Sequence, residues 1–178
     1  MNLPFSRSYW VEPGRVLAGC YPGDKNQGTA DAKLSGLLEV GVSRVINLME
    51  VNEVGHGGES FVHYEPRLDQ LAHERSQHVE FRRFPIVDLS VPTVSGMIEI
   101  LDFLDEALNR GEITYVHCWG GRGRTGTVVA CHLRRRHGLS GAAALSLLQD
   151  LTKHNQQFAP TPEMPCQRNF VMDWKEGA

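Results

Sequence analysis

Apolar residues recur along this chain at two spacings. Over residues 29–40, Leu34, Leu37 and Leu38 fall on one helical face, and Gly41 ends the run. Over residues 93–109, Met97, Leu101, Leu104 and Leu108 recur at steps of four and three; Thr93 is placed to cap this helix and Gly111 to stop it. Further helices are predicted over 125–137, closed by Gly138, from Ser140 to about 153, and from about 162 to 174. Between them lie short β-rich runs at 15–20, 42–48, 79–86 and 113–117, the first closed by a Tyr21-Pro22-Gly23-Asp24 turn. Residues 52–77, rich in Gly, His and Glu, are patterned least, with one helix indicated over 67–76. Strands and helices alternate early and helices dominate late. That order predicts an α/β fold, a small central mixed sheet flanked by helices.

At 178 residues the chain is expected to form one domain over 1–178, long enough to bury a core without disulfides or metal. The net charge of −3 gives no global basic field, so nucleic acid is not an expected partner, and any bound anion must be held by a local constellation. Cys20, Cys118, Cys131 and Cys166 lie far apart and form no C-x-x-C pair, which argues against a zinc ribbon or a disulfide scaffold. No apolar run of transmembrane length and no secretory leader pattern is present, so the expectation is a cytoplasmic protein without stable membrane insertion.

The chemistry concentrates in one stretch, His117-Cys118-Trp119-Gly120-Gly121-Arg122-Gly123-Arg124-Thr125. Cys118 closes a predicted strand and Arg124 stands at the start of a helix. The glycines between let the backbone curl until successive N–H groups face inward as an anion nest. The helix N-terminus adds unpaired donors, and the Arg124 guanidinium adds a planar fork matched to two phosphate oxygens. Thiols in such fields ionise well below the ordinary range, so the loop favours a nucleophilic thiolate beneath a phosphate cradle. Transfer of phosphorus to sulfur needs a proton donor for the leaving oxygen. Asp88, in the proline-flanked run Pro85-Ile86-Val87-Asp88-Leu89-Ser90-Val91-Pro92, is the candidate general acid, and Asp69 is the weaker alternative.

Cys118-x5-Arg124-Thr125, preceded by His117, resembles the active-site motif of the cysteine-dependent protein tyrosine phosphatase superfamily. Pro85-Ile86-Val87-Asp88, thirty residues upstream of Cys118, resembles the acid loop of its dual-specificity branch, including the kinase-associated group. The resemblance implies a phosphatase fold and cofactor-free hydrolysis of phosphomonoesters in phosphorylated proteins. It implies Cys118 as nucleophile, Arg124 as phosphoryl ligand and Asp88 as acid then base. It further implies Thr125 as donor to the sulfur, His117 as the residue orienting the loop, and the backbone of Trp119, Gly120, Gly121, Arg122 and Gly123 as the cradle. The tryptophan that precedes the acidic Pro-Asp pair in tyrosine-specific members is absent, and Val87 stands beside Asp88, so strict phosphotyrosine specificity is not implied. Arg122 matches a basic position of phosphoinositide-acting relatives, which also carry a basic residue where this chain has Trp119. A phosphoinositide or inositol phosphate substrate is therefore an alternative, and a catalytically silent phosphoprotein-binding module is another.

Other patterns carry less. Gly121-x-Gly123-x-x-Gly126 fits a dinucleotide fingerprint, but a second helix rather than an acidic-ended strand follows. His73 and His78 are five apart, a poor spacing for shared metal ligation on one helix face, and no metal site is expected. Cys20 and Cys131 read as packed thiols, and the basic run at 134–137 as positive charge suiting a helix C-terminus.

Overall fold

Val16, Leu17 and Ala18 are all buried, and so are Val45, Ile46, Tyr115 and Val116. Successive strand side chains point to opposite faces, so such runs need cover on both sides. The computed structural model, which describes residues 2–155 and 159–175, provides it. Five strands, β1 (Ser8–Glu12), β2 (Val16–Gly19), β3 (Val42–Asn47), β4 (Glu80–Arg83) and β5 (Ile113–His117), form one sheet in the order β1-β2-β5-β3-β4. β1 pairs antiparallel with β2, and the other pairings are parallel.

Six helices flank the sheet: α1 (Gln27–Glu39), α2 (Glu65–His73), α3 (Val94–Asn109), α4 (Arg124–His137), α5 (Gly141–Thr152) and α6 (Pro165–Asp173). On one face Leu34, Leu37 and Leu38 of α1 and Leu68 and Leu71 of α2 pack with Leu17, Val45 and Tyr115. On the other, Met97, Leu101 and Leu104 of α3 and Val128 and Val129 of α4 pack with Val16, Ala18, Ile46 and Val116. The expected α/β architecture is the one found. Among the described residues no helix is long and apolar enough to cross a membrane.

The local signals hold where a side chain enforces them. Thr93 Oγ1 accepts the Gly96 N–H at 3.0 Å and Ser140 Oγ accepts the Ala143 N–H at 3.2 Å, capping α3 and α5 as expected. Gly138 closes α4 at φ 62°. Other boundaries differ. Asn26 caps α1 two residues ahead of the predicted start, with its side chain accepting from Thr29 N. Pro66 in the first turn of α2 starts that helix at Glu65, and it ends at His73. α6 begins at Pro165 rather than near 162, because the preceding residues pack on the glycine-rich loop instead. β1 was not anticipated. It exists because Pro13-Gly14 reverses the chain, with Gly14 at φ 71°, and lays Tyr9 opposite Ala18. The basic run after His132 does more than complement a helix end. Arg134 donates to the Val171 and Leu139 carbonyls and Arg135 to Asp102, tying α4 to α6 and α3.

Arg44 of β3 is 1% exposed yet charged. It reaches Glu80 at 2.7 Å, Glu112 at 2.9 Å and Glu106 at 3.5 Å, lies over the Phe103 ring and donates to the Phe103 carbonyl. Its Nε and Glu112 are close but not aligned for a hydrogen bond. Removing the cation leaves three carboxylates converging on one apolar site. Their partial exposure screens that repulsion, so the full cost of a broken buried pair is not expected. Arg44→Met should lower the unfolding free energy by about 2–3 kcal/mol, read as a shifted urea midpoint with an unchanged slope.

Candidate active site

The four parallel strands end on one edge, and the loops that follow them converge there. The loop after β5 runs from Cys118 to Gly123 and opens α4. Its carbonyls are held from outside: Trp119 O by the Tyr21 N–H, Gly120 O by Arg7 Nη2, Arg122 O by the Thr161 hydroxyl, and Gly123 O by the Thr127 amide and hydroxyl. Pinning carbonyls outward turns peptide N–H groups inward, and the Gly121 N–H reaches Cys118 Sγ at 3.3 Å. The tight curl requires glycine at 121. Its φ is 76°, and a Cβ there would stand 2.4 Å from the Gly19 carbonyl carbon at the end of β2.

Cys118 is 2% exposed at the floor of a cleft of about 400 Å³ that Asp88, Leu89, Trp119, Arg122, Arg124 and Glu163 help to line. Arg124, 1% exposed, is held by a residue the sequence reading missed. Glu53 Oε2 accepts from Nη1 at 2.6 Å and Oε1 from Nη2 at 2.8 Å, an end-on bidentate pair. The Ile86 carbonyl takes the other Nη1 hydrogen at 3.0 Å, and Asp88 Oδ1 lies 2.9 Å from Nη2. Arg124 Nε is buried without a protein partner. Burial works against the guanidinium charge, but Glu53, the Cys118 sulfur and Asp88 outweigh it and hold the pKa above its ordinary value.

His117 is wholly buried. Its Nδ1 lies 3.1 Å from the Cys118 carbonyl, which can only accept, so Nδ1 carries the proton. Nε2 then accepts from the Tyr64 hydroxyl at 2.6 Å. Burial pushes the imidazole pKa down to about 3, and the Arg83 and Arg124 charges act in the same direction against the Cys118 carbonyl. Burial also raises the Tyr64 phenol pKa, so it remains a donor. The pair fixes the strand end from which Cys118 projects.

Asp88 sits in a turn whose next residue, Leu89, has φ 60°. The segment is tethered at both ends. Ile86 N–H donates to the Leu48 carbonyl, and Gln167 Nε2 donates to the Ser90 carbonyl at 3.0 Å. Gln167, fully buried on α6, also lies against Gly123, so it joins the acid segment to the cradle. Thr125 Oγ1 is buried with no hydrogen-bond partner, so the expected donation to the sulfur is not made in this arrangement. Arg122 turns outward, donating to the Pro160 carbonyl at 3.0 Å and lying 3.7 Å from Glu163. Asp69 is exposed on α2 and is not among the residues lining the cleft. His73 and His78 are exposed. Cys131 is buried in α4, its thiol pKa pushed up to about 12 by burial.

Glu53, Tyr64, Arg7 and Gln167 escaped the sequence reading because none lies within a recognisable motif. Glu53 and Tyr64 both lie in the least-patterned stretch, residues 52–77, whose lack of periodicity is the one signal the sequence gives for them.

The chain is 43% identical over 47 residues to dual specificity protein phosphatase 1 of Arabidopsis thaliana, covering 26% of this chain and 24% of that one. It is 40% identical over 135 residues to a phosphatidylinositol 3,4,5-trisphosphate 3-phosphatase of Dictyostelium discoideum, covering 75% of this chain and 19% of that one. The matched regions of the first curated relatives make up 18% to 40% of their own length. Among solved structures, Tk-PTP in its active form superposes with a TM-score of 0.72 at 23% identity, over 98% of this chain and 99% of that one. A kinase associated phosphatase superposes with a TM-score of 0.68 at 19% identity, over 93% and 90%. These establish a shared fold. A family model described as PTP-SAK, Swiss Army Knife protein, DSP-PTPase phosphatase domain, matches residues 5–172, and the chain belongs to that family.

Proposed function

We propose that this protein is a cysteine-dependent phosphomonoester hydrolase that removes phosphate from phosphotyrosine, and from phosphoserine and phosphothreonine, in proteins. The observation that carries the reading is the edge of Arg124 that Glu53 and the Ile86 carbonyl leave free, in the cleft that Cys118 also lines. A guanidinium has five N–H donors in one plane. Glu53 and the Ile86 carbonyl take both Nη1 hydrogens and one of Nη2. The Nε–H and the second Nη2 hydrogen remain, on the side-on edge that fits two phosphate oxygens. Asp88 occupies half of that edge.

A phosphate entering the cradle takes the Nε and Nη2 donors and displaces Asp88 toward the leaving oxygen. The Cys118 thiolate attacks phosphorus. The S–P bond forms, the P–O bond to the leaving group breaks, and Asp88, which takes up a proton from solvent once it is displaced from Arg124, gives that proton to the departing oxygen. Water then attacks the phosphocysteine and yields a proton to the Asp88 carboxylate. The S–P bond breaks, releasing inorganic phosphate and restoring the thiolate. Inward amides stabilise the charge on the equatorial oxygens throughout. Neutral His117 holds the loop without titrating in the working range.

A second reading, hydrolysis of a phosphorylated lipid headgroup, draws on the phosphatidylinositol phosphatase relative of Dictyostelium and on Arg122 at the rim. Phosphopeptides and phosphoinositides assayed side by side separate the two, with turnover of phosphopeptides expected to be the faster.

The nucleophile is tested by Cys118→Ser, which should abolish p-nitrophenyl phosphate hydrolysis and the acid-stable phosphoenzyme trapped from wild type, while still binding substrate. Asp88→Asn should slow esters with poor leaving groups by roughly 10²–10⁴ and activated aryl phosphates far less, seen as a steeper dependence of rate on leaving-group pKa. Glu53→Ala lets the fork swing. It should lower kcat/KM by roughly 10–100-fold for good and poor leaving groups alike, and weaken vanadate inhibition in parallel. Equal sensitivity to leaving group in the Asp88 and Glu53 variants would refute this division of roles.

A further inference from the structure

A second pocket of about 290 Å³ adjoins the catalytic cleft, and the two share Arg7 and Trp119 as walls. Its apolar lining includes Phe5, Tyr21, Phe61, Val62 and Trp119. Three of these rings pack edge-on: Phe61 lies 5.3 Å from Trp119 and 5.0 Å from Tyr21, centroid to centroid. The Tyr21 hydroxyl donates to the Val62 carbonyl, which closes the rim.

Its charge does not suit a second phosphate. Lys33 is paired with Asp24 at 3.1 Å and donates to the Gly23 carbonyl, while Lys25 lies 4.0 Å from Glu59. These two lysines are balanced by two carboxylates on the same wall. Arg7 is the remaining cation of the lining, and its Nη2 is engaged by the Gly120 carbonyl. A phosphate there would face Asp24 and Glu59 with one guanidinium for company. On the opposite rim of the cleft, Arg122 is likewise engaged, by Pro160 and Glu163. An uncharged ring, by contrast, meets aromatic edges, where offset and edge-to-face contacts are favourable.

We propose that this side pocket receives an aromatic or large aliphatic side chain flanking the phosphorylated residue of a protein substrate. The proposal rests on the phosphatase reading above and narrows its substrate to phosphopeptides with an apolar neighbour. The cradle holds the phosphate, Trp119 divides the two compartments, and the flanking residue supplies the selectivity that a phosphate site alone lacks.

The test is kcat/KM across phosphotyrosine peptides in which each position one or two residues from the phosphotyrosine is varied among Ala, Leu, Phe and Asp. Inositol bisphosphate and p-nitrophenyl phosphate run alongside. Phe or Leu at one of these positions should raise kcat/KM over Ala at least about tenfold. Phe61→Ala and Val62→Asp should each erase that gain while leaving p-nitrophenyl phosphate turnover unchanged. Val62 is 49% exposed, so its substitution spares the core if Phe61→Ala destabilises the loop. A flat peptide profile overturns the proposal. So does a preference for Asp, or for inositol bisphosphate over every peptide, that persists in both variants. Failure of the wild type to turn over p-nitrophenyl phosphate and all peptides would instead defeat the phosphatase reading, and this proposal with it.

Discussion

The rest of the site depends on how Arg124 is gripped. Held end-on by Glu53 and also by the Ile86 carbonyl, its guanidinium plane is fixed, and its Nε is left without a protein partner. An arginine free to rotate would give a phosphate charge but no orientation. The grip also explains the strength of the local field. The Glu53 side chain, 7% exposed, partners the cation where water screens little, and Asp88 adds a second carboxylate 2.9 Å from Nη2.

That grip is a product of sheet topology. β2, β5, β3 and β4 run parallel, so their C-terminal ends deliver four loops to one edge. β2 delivers Gly19 against Gly121, β3 delivers Glu53, β4 delivers Asp88 and β5 delivers Cys118. Ligand sites outside the carboxyl ends of strands are the general outcome of this geometry. The helices buttress the loops from the other side. α6 contributes Gln167, and the segment before it contributes Thr161, which holds the Arg122 carbonyl. Buried Arg44, by contrast, joins β3 to β4 and α3 at a distance from this edge and belongs to the scaffold.

Where the chain encodes structure locally, the sequence was readable. Thr93 and Ser140 cap because a hydroxyl three residues ahead of an amide reaches it in any helix. The 118–124 loop was readable because glycine, cysteine and arginine at that spacing leave the backbone few shapes. The misses share one cause. β1 needs a partner strand to exist, and its Pro13-Gly14 turn has meaning only once β2 is beside it. Residues 52–64 lack periodicity because they are shaped by what they touch, Arg124 for Glu53 and His117 for Tyr64, 71 and 53 positions further along the chain.

By itself the sequence determined the glycine-rich loop from Cys118 to Arg124, the α/β alternation and the candidate acid, since each is written in residues adjacent along the chain. Only the tertiary structure decided which carboxylate grips Arg124, which hydroxyl donates to His117 and which rings wall the side pocket. Those choices are pairings between residues dozens of positions apart. Their energies come from burial and from directional hydrogen bonds, and neither exists until the sheet has brought the partners together.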